Sequence, residues 1–259
     1  MAVSHAHDGR TAAPSATDHA GTWWHRGNVL PIGILLLVTA VAWAYVLRTP
    51  MDAHAMQGMP GMPRMRMPLS LFLFGWTVMI VGMMLPATLP VILLYRRTAR
   101  KQSAGSADLR VVTLIAGYFA VWVAAGLPVY AYNGLVTGPG MAVLPAALLI
   151  AGGAYQFTAL NRGCHQRCSS PLFFLTRQWR PGLLGAARLG TLHGIDCLGC
   201  CLGLMAGLVA LGMMNAAWML AAAIIIVAEK TLPHGHIIAR PLGFVMVAAG
   251  IALFAGAFS

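Results

Sequence analysis

Residues 190–205 read GTLHGIDCLGCCLGLM. The run is apolar enough for a membrane helix, yet it carries a histidine, an aspartate and three cysteines. On a helix, His193, Asp196, Cys197, Cys200 and Cys201 recur at i, i+3, i+4, i+7 and i+8, a spacing that gathers all five on one face. Met205 follows at the edge of the same stripe. Thiolate, imidazole and thioether suit soft or borderline ions, Cu(I) and Zn(II), and a carboxylate beside a histidine can orient it. Glycine and cysteine also ease the packing of helices, which accounts for the cysteines without any metal. It does not account for Asp196, because an ionisable group at membrane depth is costly. The stripe therefore reads as a polar, metal-ligating site.

The rest of the chain has the composition that such a helix needs around it. Of 259 residues, 59% are hydrophobic and only 9% charged, and the mean hydropathy is +0.74. That excludes an ordinary soluble domain and predicts an all-α, polytopic transmembrane helical bundle, since lipid-facing backbone must satisfy its hydrogen bonds within the helix. A span takes roughly 20 apolar residues. Seven stretches qualify: about Val29 to Leu47, Leu69 to Tyr95, Val111 to Gly134, Met141 to Leu160, Leu189 to Met213, Ala216 to Thr231 and Ile237 to Phe258. The sixth is short and contains Glu229. Pro86 and Pro90 predict a kink or an early exit in the second.

The net charge of +11 raises the question of a polyanion partner, and the positions of the cations answer it. In a seven-span arrangement fourteen of the 17 Lys and Arg residues fall on one side, in the tail, in the loops after spans two and four, and after span six; only Arg48, Arg64 and Arg66 fall on the other. The positive-inside rule then makes the N-terminus cytoplasmic. Nucleic acid is not implied, and the lipid bilayer is the first partner. Residues 1–28 are polar and read as a disordered cytoplasmic tail containing histidines, and residues 29–259 as the transmembrane domain, with an external loop at 48–68 and a cytoplasmic loop at 161–188.

Three further features bear on chemistry. In LNRGCHQRCSSP, Cys164 and Cys168 are four apart and would share a helix face close to the same membrane surface as the first cluster. Two thiols in a reducing compartment point to metal or redox chemistry rather than a structural disulfide. The external loop MDAHAMQGMPGMPRMRM offers Met56, Met59, Met62, Met65 and His54 as accessory copper contacts, because thioethers bind Cu(I). Met79 and Met83 in the second span could extend a thioether path inward. Glu229, in AEKTLPHGH, is open to two readings, an ion pair with Lys230 or a ligand that could meet Asp196 on the cytoplasmic side.

The runs WTVMIVGMMLPATLP, CHQRCSSPLFFL, LHGIDCLGCCLGLMAGLVALGMMN and AEKTLP resemble the bacterial predicted metal-binding integral membrane proteins, a domain family of unknown function. The resemblance covers roughly residues 69 to 255, and Leu202 stands where a bulky aromatic is expected. It implies metal binding, a multi-pass place in the bacterial inner membrane and no particular substrate.

The reading that results is an integral membrane protein handling copper, with zinc as the alternative, by transport, acquisition or delivery to a metal-dependent membrane enzyme or a metallochaperone. Its candidate ligands are His193, Asp196, Cys197, Cys200, Cys201, Cys164, Cys168, Glu229, Met79 and Met83. The alternatives are a membrane thiol-disulfide oxidoreductase using Cys197 and Cys200 as a C-x2-C pair, or a structural subunit of a membrane complex. No phosphate-binding loop or nucleophile elbow is present in the sequence, and no catalytic residue is assigned.

Overall fold

A computed structural model describes residues 26–48, 67–136, 143–212, 216–231 and 236–256. Among the described residues the chain is an all-α bundle without strands: α1 Arg26–Arg48, α2 Leu69–Gln102, a short 3-10 turn Ala104–Ser106, α3 Ala107–Val136, α4 Val143–Tyr155, α5 Ala159–Ser169, α6 Pro171–Gln178, α7 Gly182–Leu211, α8 Ala216–Thr231 and α9 His236–Gly256.

Among the described residues five helical segments are long and apolar enough to cross a membrane, Val29–Arg48, Leu69–Gln102, Ala107–Val136, Gly182–Leu211 and Ala239–Gly256, or six if the bent pair Val143–Tyr155 and Ala159–Cys168 is one span. The fourth expected stretch is not one straight helix. It breaks after Tyr155, and α5 leaves α4 at 68°. The break is built by three successive turn hydrogen bonds, from the amides of Gln156, Phe157 and Thr158 to the carbonyls of Gly153, Ala154 and Tyr155. Thr158 then caps α5, its side chain accepting from the Asn161 amide at 3.2 Å. The sixth stretch, α8, has 16 residues and is about 24 Å long at 1.5 Å per residue, less than a full hydrocarbon layer. Residues 161–188, expected as a loop, are mostly helical, being occupied by α5, α6 and the start of α7.

α2 runs unbroken for 34 residues through Pro86 and Pro90. Pro86 has no N–H to give to the Gly82 carbonyl four residues earlier. The Trp43 indole of α1 supplies it instead, Nε1 donating to that oxygen at 3.1 Å. A second indole fixes the other side of α2, where Trp76 Nε1 donates to the Trp122 carbonyl of α3 at 2.7 Å.

α7 is the centre of the molecule, packing on α3 most extensively and also on α4, α5 and α8. Small residues allow the approach. A Cβ on Gly190 would collide with the Leu114 carbonyl of α3, and one on Gly117 would lie 2.5 Å from the Ala187 carbonyl of α7. The core has two parts. One surrounds the thiols with Trp76, Met79, Met83, Met84, Trp122 and Ile226. The other holds Leu85, Ile92, Tyr95, Leu114, Phe174 and Leu189. Large apolar side chains such as Leu30, Leu37, Leu184 and Phe244 face outward, the arrangement expected when the surrounding medium is itself apolar.

Candidate metal centre

The stripe on α7 turns inward. His193, Cys197, Cys200 and Cys201 are buried, and the Cys197 side chain is fully enclosed. The Thr158 cap and the bend before it direct α5 back onto α7, which brings Cys168 to the same place. The sulfurs of Cys168, Cys197 and Cys200 all lie within 4.8 Å of one another. Three thiolates around one ion, with metal–sulfur bonds of about 2.3 Å, would stand roughly 4 Å apart, so the trio needs little movement to close on a metal. Cys201 adds a fourth sulfur at the margin, 3.6 Å from that of Cys200. All five cysteines are free thiols.

Two donors from other helices converge on one sulfur. Lys230 of α8 directs its ammonium Nζ to Cys197 Sγ at 2.8 Å, and the Tyr118 hydroxyl of α3 lies 3.0 Å from the same atom. The ammonium thus places a positive charge against a sulfur of the trio, where a bound thiolate would need one. The Cys200 thiol points to the Cys197 carbonyl at 3.1 Å, and Asn161 Nδ2 holds the Cys200 carbonyl at 3.3 Å.

The other expected ligands take separate places. His193 is buried between the rings of Tyr118 and Phe174, at centroid distances of 5.6 and 5.2 Å, with neither ring nitrogen hydrogen-bonded among the described residues. It lines a small cleft with Thr88, Val91, Ile92, Leu114, Ile115 and Tyr118. Asp196 accepts from Arg167 Nε of α5 at 2.7 Å. Cys164 Sγ accepts from the same guanidinium at 3.3 Å, on the Asp196 side of α5. Glu229 is buried with Oε1 unpartnered among the described residues. Met79 and Met83 belong to the apolar core that encloses the thiols. Met56, Met59, Met62, Met65 and His54 lie outside the described residues.

Sequence reasoning missed Lys230 and Tyr118 as neighbours of the thiols, and Arg167 as the partner of Asp196. A lysine at the end of an apolar run was the available signal for Lys230. Tyr118, 79 positions before Cys197, gave none.

A helical bundle that buries several thiols among methionines and aromatic rings has the donor set of a soft-metal-binding protein. The chain belongs to the copper chaperone family PpoB2, whose model matches residues 73–253. The matched region contains all five cysteines, Tyr118, Arg167, Asp196 and Lys230, and excludes α1. No curated protein and no solved structure matches the chain.

Proposed function

We propose that the protein is a membrane-embedded copper carrier that holds Cu(I) between α5 and α7 on the sulfurs of Cys168, Cys197 and Cys200. The observation that carries this reading is the enclosure of those three sulfurs within 4.8 Å of one another, in a chain of a copper chaperone family. Copper is the cargo. The thiols bind it as thiolates, the neighbouring apolar core excludes water, and Lys230 offsets part of the negative charge that three sulfurs bring to one ion. Cys201 stands beside the trio as a further soft donor, Met79 and Met83 belong to the apolar core around it, and His193, Asp196 and Glu229 would serve the ion only as accessory groups from their separate places. Zinc is the competing ion, because it too accepts thiolate and imidazole.

The long apolar helices and the outward apolar side chains support a multi-pass place in a bacterial inner membrane. The seven-span arrangement with a cytoplasmic N-terminus follows the distribution of Lys and Arg. On that arrangement the thiol site lies nearer the cytoplasmic face. The methionines of 48–68 would make contact with copper outside, and delivery to a metal-dependent membrane enzyme or a metallochaperone would complete the path.

The test is the copper and zinc content of protein purified anaerobically in detergent and reloaded with each ion, wild type beside C168S, C197S and C200S. The expected result is one Cu(I) per chain in the wild type, lost in each variant, with copper displacing zinc. Absence of copper from the wild type, or its retention in all three variants, would refute the site.

A further inference from the structure

The two cysteines of α5 stand one turn apart and have different company. Cys168 joins the buried trio. Cys164 is just as buried, at 6% exposure, but sits on the seam between α5 and α7 nearer the surface. Its sulfur rests against Gly199, where a Cβ would lie 2.6 Å away. Gly199 immediately precedes Cys200, so the missing side chain is what lets the Cys164 sulfur reach the backbone that carries a trio ligand. On the outer side the Arg167 guanidinium covers the thiol, with Nη2 on Cys164 Sγ at 3.3 Å and Nε on Asp196 Oδ1 at 2.7 Å. Half of the Arg167 side chain is exposed, against 13% for Asp196. The cover is thus one solvent-facing cation latched to a carboxylate on α7.

We infer that Cys164 is the transfer ligand of the copper site, and that the Arg167–Asp196 ion pair is the latch that closes over it. The inference rests on the copper reading above and deepens it. A trio enclosed on all sides binds well but exchanges slowly, since an outside ligand cannot reach the ion. A fourth thiol one helical turn from Cys168, beneath a side chain already half in solvent, gives the ion a place to be shared with an incoming soft ligand such as a thiol. The step is a ligand substitution. A copper–sulfur bond to Cys164 forms as one to Cys168 or Cys200 breaks, the Cys164 proton passes to the departing sulfur, and copper remains Cu(I) throughout.

The latch and the ligand make opposite predictions, which separates them from a packing defect. Copper-loaded wild type, C164S, D196N and R167Q are mixed with excess bicinchoninate, and the rate constant for copper transfer is read from the loaded fraction, so that a change in occupancy does not enter it. In parallel, alkylation of Cys164 by iodoacetamide is timed on the metal-free protein by mass spectrometry. C164S is expected to slow transfer by about tenfold, D196N and R167Q to accelerate transfer by about fivefold, and D196N, which keeps the cation beside the thiol, to accelerate alkylation of Cys164 by about fivefold, each corresponding to a barrier change of order 1 kcal/mol. Transfer from loaded C164S at the wild-type rate would overturn the role of Cys164. Slowing in all three variants together, or unchanged alkylation in D196N, would overturn the latch. A wild-type protein that takes up no Cu(I) would instead remove the copper reading itself.

Discussion

Lys230 and Cys197, 33 positions apart and on different helices, meet at 2.8 Å inside an apolar core. A lysine in that setting needs an anion, and the sulfur is the anion at hand. K230M should therefore weaken Cu(I) binding by about ten- to a hundredfold, the range seen when a group that supports a metal ligand is removed, and K230R should recover part of the loss. Competition against a Cu(I) chelator of known affinity measures both. Equal affinity in wild type and K230M would show that the ammonium does not support the site.

Cys168 and Cys201 separate the three-dimensional site from the sequence stripe. Cys201 lies on the stripe but outside the mutual 4.8 Å set, and Cys168 lies off the stripe and inside it. C168S should accordingly cost more copper affinity than C201S. The reverse order, in the same competition assay, would place the ion along α7 alone.

Copper loading should release protons. Any trio sulfur that carries a proton must lose it before it can bind, so apparent affinity falls as pH falls and rises as pH rises. Loading in weakly buffered detergent solution with a pH indicator reads the release directly. Uptake without proton release would mean that the ion is held by thioether and imidazole, not by the thiols.

G190A and G199A should differ in stability. The methyl group added at Gly190 meets the Leu114 backbone carbonyl, which cannot move without shifting α3. That added at Gly199 meets the Cys164 sulfur, the end of a side chain that can rotate away. G190A is expected to cost about 3 kcal/mol, at the upper end for overpacking, and G199A about 1 kcal/mol. Thermal unfolding followed by helical circular dichroism would rank them, and similar midpoints would contradict the close approach of α3 and α7.

The helical class was legible because composition and run length decide it before any contact is known: 59% hydrophobic residues in long runs leave little besides a helical bundle. The inward face of α7 was legible for a related reason, since helical period places Cys197, Cys200 and Cys201 together without reference to another element. The partners were not. Period says nothing about which helix lies opposite, so Arg167 was counted among loop cations when it in fact engages Asp196. Lys230 was read as a possible partner of Glu229, whereas its ammonium reaches Cys197 on another helix. The bend between α4 and α5 was hidden in an apolar run whose punctuation, Gly152, Gly153, Gln156 and Thr158, is also compatible with a continuous membrane helix. Without that bend Cys168 could not be expected to face Cys197.

The indole of Trp43 closes a gap in another helix, and it does so from outside the stretch that the family model matches. The Gly82 oxygen is left open by Pro86, and Gly82 is buried, away from any solvent that could take the indole's place. A leading helix that reads as a simple anchor thus doubles as a prosthesis for its neighbour. A chain trimmed to the matched residues would keep all five cysteines and lose the hydrogen bond that Pro86 makes necessary, at a cost of about 1–3 kcal/mol for one stranded carbonyl. The boundary at which similarity fades is therefore not a boundary at which the molecule can be cut.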